Sequence, residues 1–170
     1  PAVSPLAVSG ETVYESCKAA GETGYAFGYF ACPSRNDSEY IPFAIATMFV
    51  DDSLFDQVRE QHGAVYTIGT GVMPGKTSLG IISVYKATEK EHLKEYIEQA
   101  IDSFPDEKGV EEKLDQYKNK YITSLFEASQ NAGGIAANII SSQEYYGEPE
   151  QYLNRARMVR AVTSAQVVAA

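Results

Sequence analysis

Apolar and polar positions alternate at short range in the first half of the chain and at helical spacing in the second. Thr12-Val13-Tyr14-Glu15-Ser16-Cys17 and Gly24 to Ala31 are rich in aromatic and β-branched residues, with Gly21 and Gly24 between them. That composition predicts two strands. Residues 1–10 read as a linker or an incoming strand. The loop Cys32 to Asp37 is rich in turn residues. Ser38 is placed to cap a helix through Phe49, which Asp51-Asp52-Ser53 then interrupts before a short helix from Leu54 to Gln61. Ala64–Gly71 and Thr77–Tyr85 predict a hairpin around Val72-Met73-Pro74-Gly75-Lys76. In a regular strand Val65 and Thr67 would face one side of the sheet, and Tyr66 and Ile68 the other.

From Thr88 onward the period lengthens. Thr88-Glu89-Lys90-Glu91 has the form of a capping box, and Leu93, Ile97, Ala100, Ile101 and Phe104 line one helix face before Pro105. Val110, Leu114, Tyr117, Tyr121 and Leu125 define a second helix, and Ile135, Ile139 and Ile140 a third that Gly147 stops. Pro149 opens a short fourth with Tyr152, Leu153 and Met158. Thr163-Ser164-Ala165-Gln166 starts a last helix that the end of the sequence cuts short. The expected fold class is α+β: an antiparallel-rich sheet with helices packed on one face, forming a single domain over residues 11–170. The interrupted last helix suggests a fragment of a longer chain, which argues against a free-standing small-molecule binding module.

Charge and composition narrow the function. The net charge of −9 disfavours a protein that tracks a phosphate backbone, so nucleic acid is not an expected partner. No apolar run reaches the length of a bilayer span, so neither is a membrane. Cys17 and Cys32 match neither a disulfide framework nor a zinc ribbon, and buried thiols are the favoured reading. Periplasm or envelope and cytoplasm both remain open as compartments.

Catalytic motifs are conspicuously few. His62 and His92 lie too far apart for a His-Glu-x-x-His helix or its inversion, so this chain is expected to bind no metal. His92 reads as a surface residue, and His62 as a structural neighbour of the hairpin. Gly71 to Thr77 mimics a phosphate loop, but its glycines are one residue too close and a strand, not a helix, is expected to follow. There is no Gly-x-Ser-x-Gly elbow. Glu111-Glu112 and Glu148-Pro149-Glu150 read as solvated helix starts.

One segment is more specific. Leu54-Phe55-Asp56-Gln57-Val58-Arg59-Glu60-Gln61-His62-Gly63-Ala64-Val65-Tyr66 resembles the signature of the pitrilysin/insulinase family of zinc metallopeptidases, in its non-zinc, processing-peptidase-like inactive domain. Glu111 to Lys118, Tyr146-Gly147-Glu148-Pro149 and Val162 to Val167 are similar to later landmarks of that domain, so the resemblance runs from about Tyr25 to the end. Two departures stand out: Phe49-Val50-Asp51-Asp52-Ser53 replaces a Gly-rich turn, and the family's last strand has no counterpart before Ala170.

The resemblance implies a division of labour. Zinc and the inverted His-x-x-Glu-His motif would belong to a sister domain or subunit, and the two halves would close around a peptide substrate. This domain alone would not be an enzyme, whereas its parent would be a zinc metallo-endopeptidase. Arg59 and Tyr66 keep the seven-residue spacing of the family's Arg and Tyr that bind substrate backbone. Their chemistry suits that role, since a guanidinium presents several fixed donors and a phenol can donate to an oxygen gaining charge. The alternative from the same resemblance is a structural scaffold, like the family's core subunits of a respiratory complex, with no role in peptidase chemistry.

Overall fold

The computed structural model describes Glu15, residues 23–73 and residues 78–170. The chain divides into two compact units: Pro1–Cys32 with Phe49–Phe104, and Pro33–Met48 with Pro105–Ala170. Among the described residues the fold is α+β, with one three-stranded antiparallel sheet and helices making up most of the rest. The expected strand at Thr12–Cys17, and with it Cys17, lies outside the described residues apart from Glu15.

The sheet belongs to the first unit. Strands β1 (Gly24–Ala31), β2 (Val65–Met73) and β3 (Leu79–Ala87) are ordered β1-β3-β2. Val72 and Met73 extend β2 beyond its expected end, with Met73 opposite Leu79, while Pro74–Thr77 of the expected loop lie outside the described residues. A strand follows that loop, as expected, so Gly71 to Thr77 does not lead into a phosphate-binding helix. One face of the sheet carries Val65, Ile68, Val84 and Ala87 into a core with Leu54, Val58, Ala64, Leu93 and Ala100. These residues bring β2, β3 and the flanking helices around one apolar cluster, which is the main source of burial energy in this unit.

Regular alternation fails at the start of β2. Val65 and Ile68, three residues apart, are both buried, and their partners Ala87 and Val84 repeat that spacing on β3. On β3, Lys86 between those two partners has a left-handed φ of 55°, and the β1–β3 register shifts beside it between Gly24 and Tyr25. A bulge of this kind adds a residue, turns the strand and redirects the next side chain. At the other end of β3, Gly80 faces Phe30 across the sheet, and a Cβ on Gly80 would overlap the Phe30 ring. Gly80→Ala is expected to cost about 1–3 kcal/mol in chemical unfolding. Most of that cost should vanish in a Phe30→Ala background, as a double-mutant cycle would measure.

The helices correct several local expectations. Helix α1 spans Tyr40–Leu54 and passes through Asp51-Asp52-Ser53 without a break. Its start is organised by Asp37, not by Ser38: the Asp37 carboxylate accepts the Glu39 N–H at 3.0 Å and the Ser38 hydroxyl at 3.5 Å. Asp51 escapes the role of a breaker because its carboxylate accepts the Thr70 N–H at 2.6 Å and the Thr70 hydroxyl at 3.2 Å. Thr88 does not cap helix α2 (Leu93–Asp102), which begins after His92 with no side-chain cap. Its hydroxyl and N–H instead donate to the Ala64 carbonyl at 3.2 and 2.9 Å, since a partner at the end of the sheet outcompetes a local cap. Leu93 and Ala100 are buried as expected, while Ile101 is exposed and Phe104 packs on Phe49 with ring centroids 5.9 Å apart.

In the second unit, helix α3 (Glu107–Glu127) is capped by Asp106, which accepts the Gly109 N–H, and buries Val110, Leu114, Tyr117 and Ile122. Glu111 and Glu112 lie exposed on it. Helix α4 (Ala132–Tyr146) is capped by Asn131 and ends at Gly147, whose φ of 73° explains the glycine. Its expected apolar face is exposed at Ile135, Ile139 and Ile140. A 3₁₀ turn (Gln151–Asn154) leads into helix α5 (Arg155–Ala161), and helix α6 (Ser164–Ala169) starts at Thr163 with the expected capping box in place.

Candidate functional site

Arg59 and Tyr66 lie on either side of a sharp change of backbone. Helix α1 runs on as a π-helix over Phe55–Gln61, with Leu54 and Val58 holding its inner side in the core. The widened turn shows in its bonds: the His62 N–H donates to the Gln57 carbonyl at 3.2 Å, and the Ala64 N–H to the Val58 carbonyl at 3.1 Å. Gly63, with a φ of 62°, ends the helix in the left-handed region and delivers the chain to β2. Such widened turns recur at functional sites because they shift a side chain off the regular helical stripe.

Arg59 projects from this π-helix with 39% of its side chain exposed. Its guanidinium carbon sits 4.7 Å from the centre of the Phe55 ring, and its Nε lies 3.6 Å from the Glu60 carboxylate. The ring restrains the long side chain, while an ion pair this exposed adds little. Tyr66, 67% exposed, has the Lys86 ammonium 5.0 Å from its ring centre. No hydrogen bond or ring contact joins Arg59 to Tyr66; each has its own partner on the first unit. Phe55 could have been anticipated from its spacing of four residues before Arg59. Lys86 could not, because nothing local marks a lysine for positive φ.

The histidines have other positions. His62 ends the π-helix and stacks on Tyr96 at 3.8 Å with the rings nearly parallel. The Tyr96 hydroxyl donates to Glu89 at 3.2 Å, and desolvation together with that carboxylate raises the phenol above its ordinary range. His92 is exposed beside Glu95. Among the described residues no group of three or more His, Cys, Asp or Glu side chains is arranged to hold a metal ion. Cys32 is a half-buried free thiol; burial raises its pKa, partly offset by a hydrogen bond with Ser78. No helix among the described residues is long and apolar enough to cross a membrane.

Comparison with known proteins places this geometry in a family. The chain superposes on a protease from Helicobacter pylori with a TM-score of 0.73 at 9% identity, covering 89% of this chain and 38% of that one. The inactive peptidase domain from Bordetella parapertussis gives a TM-score of 0.72 at 12% identity, covering 89% and 83%. The periplasmic protease PqqL from Escherichia coli gives 0.64 at 14% identity; 84% of this chain matches only 16% of that longer one. At these identities the likeness speaks for the fold. No sequence among curated proteins matches the chain. The model of the peptidase M16 inactive domain matches residues 2–121, which takes in the Leu54–Tyr66 segment and the whole sheet, and on that match the chain belongs to the peptidase M16 family as an inactive domain.

Proposed function

We propose that this chain is the non-catalytic half of a zinc metallopeptidase: it forms part of the wall of a substrate chamber and contacts the backbone of an extended peptide. The observation that carries the reading is the match to the inactive domain across the segment that presents Arg59 and Tyr66 to solvent. In this reading the guanidinium of Arg59, steadied by Phe55, donates to peptide carbonyl oxygens and so binds main chain without regard to side-chain identity. The phenol of Tyr66 donates to an oxygen that gains charge during attack. Peptide held by its main chain, as a strand in a groove or along a sheet edge, would be cleaved with loose sequence preference. Strand addition at Thr70 is ruled out while Asp51 occupies its N–H. Zinc would be held by a sister domain or subunit, not by this chain.

A scaffold with no part in proteolysis is the second reading, favoured by the exposed isoleucines of α4, which suit packing against another protein. Metal analysis and peptide hydrolysis by the full-length protein, purified with its native partners, separate the two. Stoichiometric zinc with cleavage of an unstructured peptide is expected. Neither zinc nor cleavage would make the chain a scaffold.

A further inference from the structure

His62 stands between Arg59 and Tyr66, and its contact with Tyr96 is close. The two rings lie 3.8 Å apart with 6° between their planes, although His62 itself is exposed. Most aromatic pairs sit farther apart, at roughly 4.5–7 Å. Tyr96 is a fixed platform for this stack. It packs against the core cluster that holds Leu54 and Val58, its hydroxyl donates to Glu89, and His92 lies 5.9 Å from its ring.

The π-helix is anchored unevenly. Leu54 and Val58 hold its inner side, and Gln57 ties its start by donating to the Ser103 hydroxyl at 2.7 Å. Phe55 steadies Arg59 but belongs to the same helix, so the two move together. Past the far end stands the left-handed Gly63, with nothing within 4 Å of its Cβ position. Ala64 then gives a firm anchor: it is buried, and its carbonyl accepts from Thr88. Among the described residues between Arg59 and that anchor, His62 is the one whose side chain reaches another element.

The stack bears on helical register. In a regular α-helix the His62 N–H would donate to Val58; here it donates to Gln57, and the Ala64 N–H takes the Val58 carbonyl. Tightening these residues to α would turn His62 round the axis and off Tyr96, and Arg59 would turn with it. We propose that His62 is a positioning residue: by stacking on Tyr96 it holds residues 55–61 in the π register and so aims Arg59. The inference rests on the peptide-binding reading of Arg59 and adds the residue that sets its direction.

The test uses the full-length protein, hydrolysis of an unstructured peptide, and hydrogen exchange of the amides from Arg59 to Tyr66. His62→Ala is expected to raise KM about fivefold, the size of one aromatic pair, and to speed exchange across that segment. Tm should fall by at most about 4 °C. His62→Phe, which keeps a ring and removes the nitrogens, should restore both readouts. In an Arg59→Ala background, His62→Ala should leave KM where Arg59→Ala alone puts it. Unchanged exchange in His62→Ala overturns the proposal, as does an unchanged KM where Arg59→Ala raises it. A fivefold effect that persists in the Arg59→Ala background also overturns it. So does failure of His62→Phe to restore, which would give the role to an imidazole nitrogen. If Arg59→Ala itself leaves kcat and KM unchanged, the peptide-binding reading of Arg59 fails. Faster exchange in His62→Ala, restored by His62→Phe, would then still assign the register to the stack.

Discussion

Arg59→Ala in the zinc-loaded full-length protein is expected to lower kcat/KM for peptide hydrolysis about a hundredfold, with zinc content unchanged. Tyr66→Phe, which removes one hydroxyl, should produce a loss of similar order through kcat. The reasoning is that a donor aimed at charge developing in the transition state acts on the barrier, whereas ground-state binding acts on KM. If Arg59 mainly holds main chain, its loss falls largely on KM; if Tyr66 meets the developing oxyanion, its loss falls on kcat. Both side chains are exposed, so neither change should lower the melting temperature appreciably. Unchanged kcat and KM with metal retained would leave the family assignment standing and reduce both residues to structure.

The largest stability effect is expected at Leu54. Its side chain is fully buried where α1 passes into the π-helix, and it packs in one cluster with Val58, Val65, Ile68 and Val84. Leu54→Ala removes apolar contact and leaves a cavity between helix and sheet, costing about 3 kcal/mol. For a chain of this size that corresponds to a fall of about 6–12 °C in Tm. Leu153→Ala is the matched control: Leu153 is 66% exposed, so its change should stay within about 0.5 kcal/mol. Equal losses at the two positions in thermal denaturation would refute the placement of the core. Because Leu54 supports the helix that carries Arg59, its truncation should also weaken peptide binding more than stability alone accounts for.

Much of the architecture was legible because its signals are local. The helical spacing of Val110, Leu114 and Tyr117, the left-handed stop at Gly147 and the Thr163–Gln166 capping box each depend on residues within a turn or two. The family was legible for another reason: the run from Leu54 to Tyr66 resembles the family's signature, and it lies inside residues 2–121 that the family model matches. Where long-range contacts compete with local preference, sequence rules misled. Asp51-Asp52-Ser53 resembled a break, yet Thr70 provides a partner for Asp51 and the helix continues. Thr88 resembled a cap, yet Ala64 claims its hydroxyl.

By itself, then, the sequence determined the α+β class, most of the element order, the family, and the residue types and spacing of Arg59 and Tyr66. Those features follow from periodicity, caps and a dense motif, all short-range properties of a chain. Only the tertiary structure decided that α1 widens into a π-helix beneath Arg59, that Lys86 takes a left-handed conformation where the β1–β3 register shifts, and that Tyr25, Phe27 and Tyr85 come together on one side of the sheet. Each depends on strand register and on partners distant in sequence, and register is set by packing of the whole core rather than by any one segment.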